Sequence, residues 1–310
     1  MKKSLIILSV IFTVMSVLSS CATNGGSLAE RNVASYPSSL EKIDSAEYKF
    51  LLDPSLFAND RKAGYEKVWT AVKALAEANG YSITDSEDPY KEKFSTKEYF
   101  DTKNYDLRKL GFIIRKQSYY KDYKPTGKYK YTGKFANPSM DVVIAKNFTA
   151  SDDFEHSTDI EENVSLDKHG NLKEYTDISQ KIKSHDNYEN TLSAYEAMYP
   201  SLAESGLPGD TPLIGYKAYS HSVVLGEMDI NGTKVEMEME VWANGQDDAP
   251  FVGEISYTLE FDDYLTSLDT IKRAEEFLVL EGKYLKEYVF PDFEKYNGSK
   301  VRVLMNLPVK

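Results

Sequence analysis

Cysteine and histidine are scarce in this sequence, and this limits the chemistry that the chain can perform. The 310 residues include one cysteine and four histidines. A single cysteine excludes a disulfide framework and a cysteine-based zinc site, and the histidines lie in no metal-ligand spacing. The sequence also lacks G-x-G-x-x-G, P-loop and G-x-S-x-G motifs, so nucleotide binding or hydrolase chemistry by those routes has no support.

Basic residues are outnumbered by acidic ones. There are 37 Lys and Arg against 49 Asp and Glu, which gives a formal charge of −12 and a pI of about 5.0. We therefore expect no nucleic-acid partner, because nucleic-acid binding requires a basic face. Hydrophobic residues make up 41% and charged residues 28%, which is typical of a globular chain. The 23 tyrosines favour strands over helical bundles.

The N-terminal segment has the pattern of an export signal. Lys2 and Lys3 precede an apolar stretch over residues 5–18, which is too short for a membrane-spanning helix. It ends in a Leu-Ser-Ser-Cys segment whose last residue is Cys21. This segment resembles the lipobox of bacterial lipoproteins.

That resemblance implies cleavage before Cys21 and attachment of lipid, including an acyl chain such as palmitate, to this residue. We therefore expect a signal peptide over residues 1–20, a flexible tether rich in Ser, Ala, Asn and Gly over residues 21–46, and one domain over residues 47–310. The protein is then anchored to a membrane of the bacterial cell envelope, with the choice of membrane left open. The alternative is an ordinary signal peptide that leaves Cys21 free.

Periodicity and turn signals predict an α+β domain with a mostly antiparallel sheet, in the form of a closed or nearly closed barrel with inserted and C-terminal helices. Helices are predicted over residues 60–79, 188–204 and 267–288, and a short one over 107–110. Hairpins are predicted for residues 163–167 with 172–182, and for 213–228 with 233–242, where Asn231-Gly232 provides the turn. Further strands are predicted over residues 47–53, 94–100, 111–119, 140–148, 253–262 and 301–309.

Charge is segregated along the chain. Residues 91–146 contain 14 basic and 6 acidic side chains, whereas residues 227–269 contain 12 acidic side chains and only Lys234 as a base. Two such segments in one β domain can face each other across a cavity, or they can form two solvated outer faces.

Three glutamates at alternate positions mark one strand of the second hairpin. Glu236, Glu238 and Glu240 share one strand face, and the intervening apolar residues share the other. Carboxylates this close repel one another unless they are solvated, paired with bases or bound to a cation, and their oxygens suit Mg²⁺ or Mn²⁺. A solvent-exposed strand face is the simpler alternative.

Four blocks of the sequence resemble the CYTH, or triphosphate tunnel, family. Residues 47–52 (EYKFLL) resemble its opening strand, and residues 98–102 (EYFDT) followed by 111–115 (GFIIR) resemble its second block. Residues 142–146 (VVIAK) resemble a later strand that ends in lysine, and residues 254–260 (EISYTLE) resemble the acidic strand near the C-terminus. The blocks extend over residues 44–287, and the second block is the most specific.

The resemblance implies an eight-stranded antiparallel barrel whose inward basic residues hold a triphosphate or a similar polyanion and whose glutamates hold Mg²⁺ or Mn²⁺. The residues that it implies for phosphate binding are Lys49, Arg115, Lys146 and Lys217. The residues that it implies for metal binding are Glu47, Glu238, Glu240, Glu254 and Glu260.

The chain also departs from the family pattern. Ser45 stands where the family has its first glutamate, and Ile113 stands where it has an arginine. We therefore expect a membrane-anchored module that binds a phosphate-rich or other anionic ligand, with catalysis weak or lost. The alternatives are an active divalent-metal-dependent triphosphate hydrolase and a structural envelope lipoprotein.

A lysine- and tyrosine-rich run provides a further candidate surface. Residues 116–134 alternate lysines with tyrosines. This run suits contact with an anionic envelope polymer or with ordered phosphates. It is equally consistent with a hairpin that carries solvated lysines.

Overall fold

The computed structural model describes residues 43–167, 169–261, 268–296 and 298–307. The predicted signal peptide and most of the predicted tether lie outside these residues. The strands are β1 Ser45–Leu52, β2 Ser82–Asp85, β3 Lys93–Asp101, β4 Phe112–Lys121, β5 Lys124–Asn137, β6 His156–Leu166, β7 Leu172–Ser184, β8 Ile214–Ile230, β9 Thr233–Ala243 and β10 Pro250–Glu260. The helices are α1 Arg61–Ala78, α2 Asp106–Lys109, α3 Met140–Lys146, α4 Leu192–Met198, α5 Leu268–Tyr284, α6 Phe293–Tyr296 and α7 Lys300–Leu304, and 3₁₀ turns span Pro54–Phe57, Pro200–Ser205 and Lys286–Tyr288.

Nine strands close into a barrel. Their order around the ring is β8-β3-β4-β5-β7-β6-β1-β10-β9, and β9 pairs with β8 to complete it. The short strand β2 pairs with the far half of β8, outside the ring. The α+β barrel predicted from the sequence is therefore confirmed.

The ring differs in two respects from the eight-stranded antiparallel barrel that the family resemblance implies. It contains nine strands, and β1 runs parallel to β6, with Ser45 opposite Glu161 and Tyr48 opposite Val164. All the other pairs in the ring are antiparallel. Strand β1 begins at Ser45, two residues before the predicted start. Its other edge pairs with β10.

The apolar core lies between the barrel wall and the helices, not inside the barrel. On β9, Met237, Met239 and Val241 face outward and are buried in the same cluster as Trp69 of α1 and Phe277 of α5. A second apolar cluster lies under α3 and α4 on the β4-β5-β7 side. Because successive strand residues face opposite sides, the polar residues that alternate with these outward apolar residues point into the interior of the barrel.

Helix α1 forms close to where the sequence predicts it. The Asp60 side chain accepts a hydrogen bond from the Ala63 N–H at 3.1 Å, which caps the helix. Tyr65, Val68 and Val72 are buried at helical spacing. The helix ends before Gly80, whose φ of +77° belongs to the left-handed region.

Two predicted strands are helices in the structure. Residues 140–148, predicted as a strand, contain helix α3, in which Met140 and Val143 are buried whereas Val142 is exposed. A short apolar run does not separate helical from strand periodicity, and here packing on β5 and β7 selects the helix. Residues 301–309 were also predicted as a strand, but α7 spans Lys300–Leu304. Residues 308–310 lie outside the described residues.

The C-terminal segment closes one end of the barrel. Phe290, Tyr296 and Met305 pack with Trp242 and other residues of the wall in a third apolar cluster. No helix among the described residues is long and apolar enough to cross a membrane.

Candidate functional site

The barrel encloses a cavity of about 760 Å³ lined mainly by charged and polar side chains. Lining residues come from eight of the nine ring strands, from α2 and α7, and from the loops next to them. We call this cavity the lumen. Many of its charged residues fall into an acidic wall on β1, β9 and β10 and a paired group on β5, β6 and β7. A basic cluster on β3, β4, β5 and β7 includes the lining residues Lys97 and Arg115, together with lysines of β5 and β7 that are not among the residues lining the cavity.

The acidic wall consists of Glu47, Glu240 and Glu254, each close to an ammonium group. Glu47 pairs with Lys49 on the same strand. Glu240 accepts hydrogen bonds from Lys97 of β3 and from the Ser220 hydroxyl of β8. Lys300 of α7 contacts both Glu240 and Glu254, the latter at 2.7 Å.

Charges in the acidic wall depend on this pairing. Burial disfavours the charged form of Glu240, but Lys300 and Lys97 outweigh it and hold the pKa of Glu240 well below its usual range. Burial of Lys49 is similarly outweighed by Glu47, which raises the pKa of Lys49. Glu254 has a raised pKa, because its burial exceeds the compensation from Lys300.

The paired group connects β5, β6 and β7. Lys134 lies 3.0 Å from both carboxylate oxygens of Asp177. The Asn163 side-chain amide donates to Asp177 at 3.0 Å, and its carbonyl accepts from Lys49. Glu161 stands near Glu47 and Asp177, and burial together with these carboxylates raises the pKa of Glu161 to about 7.

The basic cluster contains Arg115 and Lys130, on neighbouring strands, with Lys97, Lys181 and Lys183 around them. Arg115 donates to the Thr132 hydroxyl at 3.3 Å, but its Nε atom is buried with no hydrogen-bond partner among the described residues. Burial, together with the charges of Arg115 and the three surrounding lysines, lowers the pKa of Lys130 to about 7. In the described part of the chain, no carboxylate forms an ion pair with Arg115 or Lys130.

The structure brings five of the sequence-predicted site residues together in the lumen. They are Lys49, Arg115, Glu47, Glu240 and Glu254. Glu238 shares the inward face of β9 but is only partly buried, and burial and the nearby Glu240 raise its pKa. Glu260 is exposed at the end of β10.

Lys146 and Lys217 lie outside the lumen. Lys146 ends helix α3, forms an ion pair with Glu204 and lies over the outward Phe112 and Phe135 rings. The predicted strand ending in lysine is therefore absent from the described fold at this position. Lys217 is exposed on the outer face of β8, with its Nζ atom 4.9 Å from the Tyr219 ring centre.

Several lumen residues escaped the sequence analysis. Lys97 and Lys134 line the lumen, and Lys130 stands on the same face of β5 as Lys134. All three lie in the basic segment 91–146, so strand periodicity could have identified them. Asp177 carried no comparable signal, because it stands in a strand of mixed polarity. Lys300 had none at all, because it reaches the lumen from a helix that the sequence predicted as a strand.

The lumen carboxylates do not fit a divalent metal ion as they are arranged. No group of three or more His, Cys, Asp or Glu side chains within the described ranges is placed to hold a metal. Both oxygens of Glu240 already accept from ammonium groups, and Glu254 contacts one of the same ammoniums. A hard divalent ion needs several free oxygen ligands, and these two carboxylates offer few.

No protein-family model and no curated protein matches the chain. Among solved structures, the chain is similar to a putative adenylate cyclase from Bacillus halodurans, with 11% identity, a TM-score of 0.39 and coverage of 80% of this chain and 92% of that one. A putative adenylyl cyclase from Hippeastrum, described as having a dominant triphosphatase activity, gives 12% identity, a TM-score of 0.40 and coverage of 85% and 96%. A putative adenylate cyclase from Vibrio parahaemolyticus gives 11% identity, a TM-score of 0.34 and coverage of 85% and 99%. At these values we transfer no site property to this chain.

Proposed function

We propose that the lumen binds a phosphate-rich polyanion at the basic cluster around Arg115 and Lys130. The observation that carries this proposal is the buried Nε atom of Arg115, which has no hydrogen-bond partner among the described residues. A buried N–H donor without an acceptor is costly. A phosphate oxygen would supply the missing acceptor, and guanidinium groups match phosphate geometry well.

The dimensions and the charge pattern support the same ligand class. A cavity of about 760 Å³ falls within the usual range for small-molecule sites. Lys97 and Lys181, which are shared with carboxylates, lie close enough to Lys130 to affect its charge. The ligand would therefore meet several positive charges on one side of the lumen, and the acidic wall would repel it from the other side.

Binding is favoured over hydrolysis because the carboxylates are engaged by lysines. Hydrolysis of a triphosphate through a divalent ion needs that ion to be held beside the phosphates. Glu47 is paired with Lys49, and Glu240 with Lys97 and Lys300. These carboxylates balance the lumen lysines, which suits a module that holds its ligand without cleaving it.

Calorimetry with inorganic tripolyphosphate tests the proposal. We expect the full chain, kept in mild detergent, to bind tripolyphosphate more tightly than sulfate at equal ionic strength. Arg115→Met should weaken this binding by about tenfold or more, which corresponds to loss of one charge-assisted hydrogen bond. The charge-matched control is Lys234→Met, because Lys234 is 69% exposed and paired with Glu227 at 3.0 Å. Equal affinities in wild type and Arg115→Met would reject the proposed site.

The same samples address catalysis. Phosphate release from tripolyphosphate in the presence of Mg²⁺ or Mn²⁺, if abolished by Lys49→Ala, would favour the alternative of an active hydrolase. We expect no release above the level of the variant. The absence of both binding and release would leave the structural-lipoprotein alternative.

We also propose that the module is attached to a bacterial envelope membrane through acylated Cys21. Support comes from the apolar stretch over residues 5–18, the Leu-Ser-Ser-Cys segment and the position of the only cysteine. Each buried methylene of an acyl chain contributes roughly 0.8 kcal/mol, so several chains give stable anchoring. We expect Cys21→Ser to move the protein from the membrane to the soluble fraction and to remove the mass of the lipid. Unchanged membrane association in Cys21→Ser would contradict the anchor.

A further inference from the structure

One lumen cation comes from the C-terminal segment and not from the barrel wall. Lys300 is the first residue of α7, and its side chain is only 11% exposed. Its Nζ atom contacts Glu240 on β9 and lies 2.7 Å from Glu254 on β10. These two glutamates stand directly opposite each other on neighbouring strands, so Lys300 bridges the pair.

The position of Lys300 is fixed by packing on both sides of it. Its Nζ atom lies 5.0 Å from the Trp242 ring centre, which is within the range of a cation–π contact. The Ser299 hydroxyl accepts from the Arg302 N–H at 3.4 Å, and the Tyr296 hydroxyl donates to Asn306 at 2.9 Å. Tyr296 and Met305, on either side of Lys300 in sequence, are both buried in the apolar cluster that closes the barrel end.

The charge balance of this group disfavours a further cation. Glu240 and Glu254 carry two negative charges when ionised, and Lys97 and Lys300 supply two positive charges. A divalent ion entering between the glutamates would face two ammonium groups at contact distance, and like charges this close repel strongly in a buried site. It would also have to displace Lys300 from both of its partners.

We propose that Lys300 is a built-in cation that takes the place of a divalent metal ion between Glu240 and Glu254. One consequence of this replacement rests on the proposed function: anion binding in the lumen is independent of added metal. The ammonium neutralises the glutamates, as a metal ion would, but offers no site for orienting a water molecule against a phosphate. Lys300 is thus a positioning residue that sets the cation dependence of the lumen.

Manganese titration tests the replacement directly and does not require the anionic ligand. Free Mn²⁺ is followed by electron paramagnetic resonance in the full chain, in Lys300→Met and in Lys295→Met. The control residue Lys295 belongs to the same segment but is 48% exposed, with Asp292 at 3.9 Å. We expect wild type and Lys295→Met to bind Mn²⁺ weakly. Lys300→Met should bind one ion at least about 30-fold more tightly, because the Glu254 carboxylate and the Glu240 oxygen that Lys300 contacts become free as ligands.

A double variant locates the new ion. Adding Glu254→Gln to Lys300→Met should return Mn²⁺ affinity to the wild-type level. A folded Lys300→Met that gains no Mn²⁺ site overturns the proposal. Tight binding of one Mn²⁺ by the wild-type chain, if Glu254→Gln abolishes it, also overturns the proposal. This comparison of wild type with Glu254→Gln decides the question if Lys300→Met does not fold.

Tripolyphosphate calorimetry tests the consequence for binding. In the wild-type chain we expect the same affinity in the presence of a chelator and in the presence of Mg²⁺, after correction for Mg²⁺ bound to free tripolyphosphate. Strict dependence on Mg²⁺ would overturn the metal independence. Failure to bind tripolyphosphate under either condition would reject the proposed function, whereas the Mn²⁺ titration would still report on Lys300.

Discussion

Lys134 on β5 lies 3.0 Å from both carboxylate oxygens of Asp177 on β7. Asp177 is almost fully buried, at 2% exposure of its side chain, and it also accepts from the Asn163 amide. Burial alone would lower the pKa of Lys134, but Asp177 and Glu161 outweigh it and raise that pKa above its usual value. Lys134 therefore stays protonated in the lumen, and Asp177 neutralises its positive charge.

Asp177→Asn should separate the stability of the barrel from its anion affinity. The variant leaves Lys134 charged without its main partner, and we expect the free energy of unfolding to fall by about 2 kcal/mol. This is below the range for full burial because the Lys134 side chain keeps 20% of its surface exposed. Tripolyphosphate affinity should rise, because one lumen carboxylate is lost and one cation becomes available.

Chemical denaturation and calorimetry on the same preparation measure both effects. The control is Asp292→Asn, which removes a carboxylate that is 60% exposed, next to Lys295. A fall in both stability and affinity would contradict the view that Asp177 competes with the ligand for Lys134.

Anion affinity should decrease as the pH rises through about 7. The pKa of Lys130 is lowered to about 7 by burial and by neighbouring cations, so Lys130 loses its positive charge over this interval. The pKa of Glu161 is raised to about 7 by burial and by neighbouring carboxylates, so Glu161 gains a negative charge over the same interval. Both changes make the lumen less attractive to a polyanion.

The pH series is run by calorimetry in wild type, Lys130→Met and Glu161→Gln. Because tripolyphosphate also titrates, the informative quantity is the difference in slope between wild type and each variant. We expect a shallower slope in both variants, with weaker binding at low pH in Lys130→Met. Parallel slopes in all three proteins would show that neither group titrates in the lumen near neutral pH.

The alternation of side chains was sufficient to predict much of the barrel. Glu238 and Glu240 alternate with apolar residues that the helices bury, so the inward face of β9 followed from its sequence. The Asn231-Gly232 turn likewise determined the β8–β9 hairpin, since both residues have positive φ. Closure of the ring between β1 and β6 was not predictable, because it joins strands that are far apart in sequence and parallel.

Short amphipathic segments could not be assigned in the same way. Residues 140–148 form an apolar run that is too short to distinguish a helix from a strand, and packing beneath α3 decides between them. The position of Lys300 depends on the docking of the C-terminal segment, which includes Met305, against Trp242. Its role in the lumen is a tertiary property that no local pattern encodes.

Lys146 and Lys217 provide a direct comparison between the sequence-based site and the structural one. The family resemblance gives both a role in phosphate binding, whereas the structure has Lys146 paired with Glu204 and Lys217 exposed on the outer face of β8. We expect Lys146→Met and Lys217→Met to change tripolyphosphate affinity by less than about twofold, since Lys146 is neutralised by Glu204 and the exposed charge of Lys217 is screened by salt. A tenfold loss in either variant, comparable to that of Arg115→Met, would restore the sequence-based site.

Glu281 makes the helix-covered core sensitive to pH. It lies on α5 with 1% of its surface exposed, and its Oε1 atom has no hydrogen-bond partner within the described part of the chain. Burial raises its pKa well above the usual value. The folded state therefore keeps a proton that the unfolded state releases above pH 4.3 or so. The free energy of unfolding should consequently fall as the pH rises from about 4.5 toward the folded-state pKa.

Glu281→Leu removes this penalty, because leucine is apolar, of similar size and an equally good helix former. We expect the variant to be more stable by about 1–3 kcal/mol at pH 7, with a smaller difference at pH 4, where both states of the wild type are protonated. Urea denaturation at the two pH values measures this, with Glu276→Leu as the control on the same helix, since Glu276 is 49% exposed. If Glu281→Leu destabilises the protein at pH 7 and leaves the pH dependence unchanged, the Glu281 carboxylate is stabilised in the core by charge or hydrogen bonding and is not the source of the pH sensitivity.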